Sequence, residues 1–414
     1  MATNGFTHGP NNQKPLSSGP GKGYDRSAVL VMKRIPHFLV LVLIVLFPAR
    51  IRAAGPDGPT AVLELPPGPD NPRNSEGDFI QLKDGRIRFI YTHFIGSGGA
   101  DNAPAHLAAR DSSDGGRTWT TADALVLANE GGENIMSVSL ERLPDQRIAL
   151  LYLRKNSWTD CRPVLRYSAD EGQTWSAPVG IIPDALVGYY VVNNDRLCVL
   201  KSGRLLLPSA RHTDPARPKF HGDATILCWI SDDSGKTWRS SRSERPSPQI
   251  DGKVVSLQEP GAVELSDDAV LLYCRTTGGS QFVTRSTDGG DTFGDFQPAP
   301  RLSSPTSPAT IKRLPGKGGL LAVWNDHSQI DPSLRGRRTP LSAAVSLDDG
   351  ATWSESRTLY NDPNGWYCYT ALEVVGDAVL LGHCAGDRTT GNGLTHGRIT
   401  RIPLTWFTDP LRKE

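Results

Sequence analysis

Between Ser112 and Trp353 the chain repeats one eight-residue pattern five times, Ser-x-Asp-x-Gly-x-Thr followed by an aromatic residue. The aspartates of the five copies, Asp114, Asp170, Asp233, Asp288 and Asp348, are 56, 63, 55 and 60 residues apart. Each copy has the chemistry of a tight turn: a carboxylate and hydroxyls that accept from nearby backbone N–H groups, a Gly free to take positive φ, and an aromatic ring to pack. One copy would say little. Five at a near-constant period mark units that each form a small sheet unable to bury its apolar face alone. We read the motifs as staples of hairpin turns with no part in catalysis.

A second periodicity runs from about residue 75: an apolar-alternating strand, a Gly/Asp turn and another apolar strand, with turns centred near Gly85, Gln146, Gly203, Asp268, Gly318 and Gly376. Six such units, five of them followed by the turn motif, predict an all-β fold: one six-bladed β-propeller over 60–412, each blade an antiparallel meander. Closure is expected to join the segment around Thr60–Leu65 to the late strand Gly397–Pro403. No long amphipathic helix or Pro-rich linker divides this span.

Residues 1–31 are polar and aperiodic and are expected to be disordered, or to be an upstream mis-start. Met32-Lys33-Arg34 then opens a basic stretch, Phe38 to Phe47 is unbroken apolar, and Ile51-Arg52-Ala53 offers a small-residue cleavage site. That layout predicts a signal peptide over 32–53 and a secreted or extracytoplasmic protein. The apolar run is too short for the roughly twenty residues of a spanning helix, so no stable membrane span is expected. A formal charge of +1 argues against a nucleic-acid partner. The six cysteines are expected to be mostly buried free thiols. Cys368 and Cys384, each eight residues from Gly376, could face each other across a hairpin and meet the restrictive geometry of a disulfide. No Cys/His spacing suits a metal. No cofactor is expected, and the expected state is a monomer.

In a propeller the innermost strand of each blade starts at one mouth of the central channel, so the residues just before those strands converge. Counting nine residues back from each turn centre gives Glu76, Ser137, Asn194, Glu259 and Tyr367, with the fifth blade's equivalent near Ser307–Thr310. Strand ends are also often polar merely because they meet water.

Over about 70–405 the chain resembles the sialidase (neuraminidase) superfamily with Asp-box repeats. Gln258-Glu259-Pro260-Gly261-Ala262-Val263-Glu264-Leu265, followed by Leu272-Tyr273-Cys274-Arg275, looks like the stretch that supplies the family's catalytic Glu and one arginine of its carboxylate-binding triad. The resemblance implies Glu259 and Arg275 for those roles, and Tyr367, in the strand before Gly376, as nucleophile. It implies Asp101, on the loop before Ala105-His106-Leu107-Ala108-Ala109-Arg110, as acid/base. Arg338 is placed like the last triad arginine, with Arg335 and Arg337 as rivals. Two departures stand out. Where the family has Arg-Ile-Pro the chain reads Pro72-Arg73-Asn74-Ser75-Glu76-Gly77, which puts Glu76 at the ring and Arg73 three residues earlier, still able to reach the mouth; both are candidate substrate contacts. Blade three reads Asn193-Asn194-Asp195-Arg196, adding Asn194, Asp195 and Arg196 as candidate substrate contacts.

The implied activity is an exported exo-glycosidase that releases terminal sialic acid or a related acidic sugar from glycoconjugates. A sialoside carries a carboxylate beside its anomeric carbon, which guanidiniums anchor bidentately. That carboxylate would repel a carboxylate nucleophile, whereas a phenol activated by a neighbouring Glu avoids the repulsion. An Asp would protonate the leaving oxygen. The alternatives are a carbohydrate-binding propeller without catalysis and, more weakly, a lyase acting on uronic-acid polymers. Each candidate also has a plain structural role: an ion pair for Glu259 and Arg275, packing for Tyr367, a solvated loop for Asp101. His93, His106, His212 and His383 are expected to be hydrogen-bonded structure.

Overall fold

The computed structural model describes residues 58–391 and 393–408; the expected leader at 32–53 and the extension before it lie outside the described residues. Six antiparallel meanders follow one another as the six blades of a β-propeller. Blade one runs through Asn74–Gln81, Ile87–Phe94, Ala105–Ser112 and Ala124–Leu127, and blade two through Asn134–Arg142, Ile148–Ser157, Asp160–Ser168 and Val179–Gly180. Blade four (Leu257–Glu264 to Gln297–Ser303) and blade five (Thr310–Arg313 to Arg357–Tyr360) repeat the order. Blade three is irregular. Its inner strand is split into Tyr190–Val191 and Cys198–Val199, both paired with Leu205–Arg211.

Blade six consists of Gly365–Val375, Ala378–Asp387 and Gly397–Pro403, and its outermost strand is the early segment Thr60–Leu65, paired antiparallel from Thr60 opposite Arg401 to Leu65 opposite Gly397. The ring is thus closed by hydrogen bonds between the two ends of the described chain. Second strands of the blades are apolar on both faces because each is covered by the blades on either side: Ile148 to Leu153 are all at most 4% exposed. Accordingly the apolar side chains form six clusters, one at each blade junction, such as Ile90 and Leu107 against Ile135 and Leu150 between blades one and two, and Phe79 and Phe89 against Ala371 and Leu380 between blades one and six.

The turn motifs staple these junctions. In the first, Asp114 Oδ1 accepts from the N–H groups of Arg117 and Thr118, both at 2.9 Å, and Oδ2 accepts from Thr118 Oγ1 at 2.7 Å. Ser112 Oγ accepts from Gly116 N at 3.0 Å. Gly116 has φ 79°, and a Cβ there would come within 2.7 Å of Leu380 in blade six, so the turn seats directly on the neighbouring blade. The Asp–Thr pattern recurs at Asp170, Asp233, Asp288 and Asp348. Among the described residues no helix is long and apolar enough to cross a membrane. All six cysteines are free thiols; Cys368 and Cys384 do sit opposite each other in register, without a bond between them.

Candidate active site

The mouth of the channel is built by one device used repeatedly. Glu76, Ser137, Asp195, Glu259 and Tyr369, one from each of five blades, have φ of 55°, 61°, 59°, 46° and 56°. In blades one, two, four and six this residue falls where the strand register slips: between Ser75 and Asp78, Met136 and Ser139, Gln258 and Gly261, and Cys368 and Ala371. A bulge of this kind re-aims a side chain out of the strand's alternation, at a cost of order 1–3 kcal/mol per left-handed non-Gly residue that the surrounding blades must offset.

In blade six the re-aimed residue is Tyr369, which corrects the expectation for Tyr367. Tyr367 is 5% exposed in the core between blades five and six, its ring stacked on Tyr360 with centroids 5.4 Å apart. Only two residues separate the last strand pair in blade six, Val375 and Ala378, whereas five separate Gln81 from Ile87 in blade one. A count taken from the turn therefore overshoots the bulge by two positions.

Glu76, Asp101, Ser137, Glu259, Arg275, Arg338 and Tyr369 line one cavity of about 410 Å³. Arg275 lies opposite Gln258 in register, so its guanidinium reaches the bulge and Nη1 donates to Glu259 Oε1 at 2.6 Å. Arg338, on the loop before Leu341–Ser346, is fixed by a backbone bond from Tyr367 N to its carbonyl at 2.9 Å. Its guanidinium lies over the rings of Trp366 and Tyr369, 5.4 and 5.2 Å from the centroids. Of its rivals, Arg335 is exposed and Arg337 donates to Pro363 O.

Arg73 is 1% exposed and does not line the cavity, which corrects its expected contact with substrate; it acts on the cavity through two carboxylates, donating to Asp101 Oδ1 at 2.5 Å and Glu76 Oε1 at 2.6 Å. The Asp101 carbonyl is held as well, by Asn134 Nδ2 at 2.9 Å and by Nζ of the fully buried Lys155 at 3.2 Å.

These contacts set the charges. Burial pushes the Asp101 carboxyl up, but Arg73, with Lys155 and Arg338 behind it, prevails and holds it below the ordinary range. Burial dominates at Glu76, whose carboxyl is raised although Arg73 opposes the shift. Tyr369 is raised too, by burial and by the Glu259 charge, with Arg338 and Arg275 working against both. Glu259 Oε2 and Arg338 Nη1 are buried without a hydrogen-bond partner.

Asn194, Asp195 and Arg196 do not line the cavity, and this corrects their expected contact with substrate. They plug the channel beneath it. Asn194 Nδ2 donates to Gly77 O and Tyr369 O at 2.8 and 3.0 Å. Asp195 accepts from Leu372 N at 3.0 Å and pairs with Lys312. Arg196 donates to Ala309 O at 2.8 Å. The split inner strand of blade three thus ties blades one, five and six together, and only its Asn193 reaches the cavity.

The opposite wall is apolar and was not foreseen. Met136, Leu153, Tyr189 and Val191 form it, with Trp158 and Phe220 at the rim, 49% and 46% exposed. Trp158 stacks on Tyr189 and Phe220 on His212, whose Nδ1 meets His221 O at 2.6 Å. An aromatic at a hairpin tip, as in Asn156-Ser157-Trp158-Thr159, was the one signal available in the sequence.

Residues 129–381 match a family described as a BNR repeat-like domain. A sialidase of Micromonospora viridifaciens is 31% identical over 72% of this chain and 46% of its own length. A Bacteroides fragilis sialidase is 26% identical over 51% of this chain and 37% of its own. The chain therefore spans about half, or less, of the curated relatives it matches. A solved Hadza microbial sialidase shares the fold at a TM-score of 0.63 and 17% identity, covering 81% of this chain and 66% of that one. With six blades, five Asp-box staples and a family match over more than half its length, the chain belongs to the BNR-repeat, sialidase superfamily of β-propellers.

Proposed function

We propose that the protein is an exo-glycosidase that hydrolyses terminal sialic acid or a related acidic sugar from glycoconjugates. The observation that carries this reading is the convergence of Glu259, Tyr369, Arg275, Arg338 and Asp101, from strands of blades four and six and loops of blades five and one, on a single cavity. Arg275 and Arg338 would take the substrate carboxylate, two anchors rather than three, since Arg73 is already saturated by Asp101 and Glu76.

Tyr369 Oη would attack the anomeric carbon while its proton passes to Glu259. Burial disfavours a free phenolate, so the proton must leave during attack, which is the task of a general base. Asp101 would protonate the departing oxygen and then deprotonate the water that cleaves the glycosyl-tyrosine bond. The apolar wall opposite the arginines would receive an uncharged part of the sugar. The expected leader makes export part of this reading.

Release of free sugar from a panel of terminal acidic glycosides, sialosides and uronosides, tests it. Turnover of an α-sialoside that is lost in Tyr369→Phe supports the proposal; binding without turnover by the wild-type chain overturns it in favour of a carbohydrate-binding propeller. That second reading draws on one observation, the Arg73–Asp101 ion pair, which keeps the candidate acid ionised.

A further inference from the structure

Cys368 and Cys384 are directly opposite each other on the paired strands Gly365–Val375 and Ala378–Asp387. Both are buried and both are free thiols. Directly opposed residues of an antiparallel pair have Cα atoms about 4.5–5.5 Å apart, within the ~4.4–6.8 Å that a disulfide spans.

The pair also touches the site's machinery. Cys368 immediately precedes Tyr369 at the bulge, and the Arg338 guanidinium over the Tyr369 ring is close enough for its charge to act on the Cys368 sulfur. The other cysteines are of a different kind. Burial pushes Cys161 and Cys198 up to about 12 and raises Cys228 and Cys274 as well. At Cys368 burial acts in the same direction, but the opposed Cys384 thiol and the Arg338 charge outweigh it and lower the thiol; Cys384 is raised as its partner. Geometry and charge together single out one nucleophilic sulfur with a resolving thiol beside it.

We propose that Cys368 and Cys384 form a peroxide-reactive dithiol, with Arg338 activating Cys368 and Cys384 resolving it. The Cys368 thiolate attacks one peroxide oxygen and breaks the O–O bond, giving a sulfenic acid and, after protonation, one water. The Cys384 sulfur then displaces the hydroxyl from the Cys368 sulfur, forming the S–S bond and releasing a second water. Overall, two thiols and one hydrogen peroxide give one disulfide and two waters, the two sulfurs together losing two electrons. A water-sized oxidant suits sulfurs with almost no exposed surface. The arginine that activates the thiol is the one placed to hold an anion, so oxidation withdraws a partner from Arg338.

The test uses the full chain, reduced and then exposed to hydrogen peroxide, with intact mass and peptide mapping as readouts and a thermal melt to confirm the fold. The expected result is loss of two hydrogens, a linked peptide pair containing Cys368 and Cys384, and reversal by thiol. In Cys384→Ser the reaction should stop at a dimedone-trappable sulfenic acid on Cys368. In Arg338→Met trapping should be several-fold slower, and Arg338→Lys should recover most of the rate. No linked pair in the folded chain, preferential oxidation of Cys161, or an unchanged rate in Arg338→Met would each overturn the proposal. None of these readouts requires turnover of a sugar, so the outcome is independent of the proposed glycosidase activity.

Discussion

Arg275 Nη1 donates to Glu259 Oε1 at 2.6 Å, while Glu259 Oε2 is buried without a partner. Leaving a buried carboxylate oxygen unpaired costs about 1–3 kcal/mol. The arrangement is poised for one further donor, and Tyr369, whose phenol feels the Glu259 charge, lines the same cavity. Arg275 thus fixes Glu259 by one oxygen and leaves the other for chemistry.

The first prediction separates the two tyrosines of blade six. Tyr369→Phe and Glu259→Gln should each lower kcat on a sialoside by ~10²–10⁴-fold with the melt unchanged. Tyr367→Phe should keep kcat and change stability by less than about 1 kcal/mol, since the packed ring is retained. Tyr367→Ala should cost about 3–5 kcal/mol, because it removes a ring from the packed junction. Steady-state kinetics and chemical denaturation on the same preparations decide between them.

Much of the fold was legible because a propeller repeats its reasons. Five turn motifs and six strand–turn–strand units gave the blade number, and the expected closure of Thr60–Leu65 onto Gly397–Pro403 is the pairing the structure contains. The ring positions could be counted wherever the hairpin turn had the same length, which brought out Glu76, Ser137 and Glu259. Blade six has a two-residue turn, so the same count fell on Tyr367. Asn194, Asp195 and Arg196 looked like site residues since they are polar and near the mouth. Their partners, Gly77, Leu372 and Ala309, are about a hundred or more residues away, and no local pattern announces such ties. The aromatic rim comes from loops, where strand periodicity carries no information.

The second prediction concerns the anchors. Arg275→Lys and Arg338→Lys keep the charge but lose the planar fork, so KM for an anionic glycoside should rise by ~10–100-fold with a smaller change in kcat. Weak turnover of a neutral glycoside, where measurable, should be unaffected. Equal losses on both substrates would show that the arginines shape the cavity rather than bind the carboxylate.

The third prediction follows from the hold of Arg73 on Asp101. An acid catalyst must be protonated, so kcat/KM should fall as pH rises through the Asp101 pKa, and Arg73 places that alkaline limb at low pH. In Arg73→Met/Glu76→Gln, which removes the cation together with its other buried partner, the limb should move up by about one pH unit. A pH–rate profile that does not move would exclude Asp101 as the acid.

Finally, the plugged channel predicts an unusual dependence of stability on pH. Lys312 is surrounded by Asp195, Asp78, Glu141 and Glu373, an excess of carboxylates over cations. Burial, with Asp195 and Glu373 adding to it and Lys312 opposing, pushes Glu141 up to about 8. With its folded value above its unfolded one, Glu141 stays protonated in the native chain while ionising in the unfolded chain. Its contribution therefore declines as pH rises from about 4.5 to about 8 and is flat outside that window, a loss of up to about 5 kcal/mol. The Asp-box aspartates act in a separate window and with the opposite sign. Asp114, Asp170 and Asp233 are lowered to about 2, chiefly by hydrogen bonds from their Thr partners, with burial opposing at Asp114, so the stability they contribute is complete above about 3.8 and is lost as pH falls through about 2. The melting temperature of the wild-type chain should rise from pH 2 to 4 and fall again from pH 5 to 8. In Glu141→Gln the acid side should be unchanged and the decline above pH 5 should flatten, leaving the variant more stable than wild type at pH 8. A decline of the same slope in Glu141→Gln would place the responsible proton on Asp78 or Glu373 instead, which the corresponding Asn and Gln substitutions would then identify.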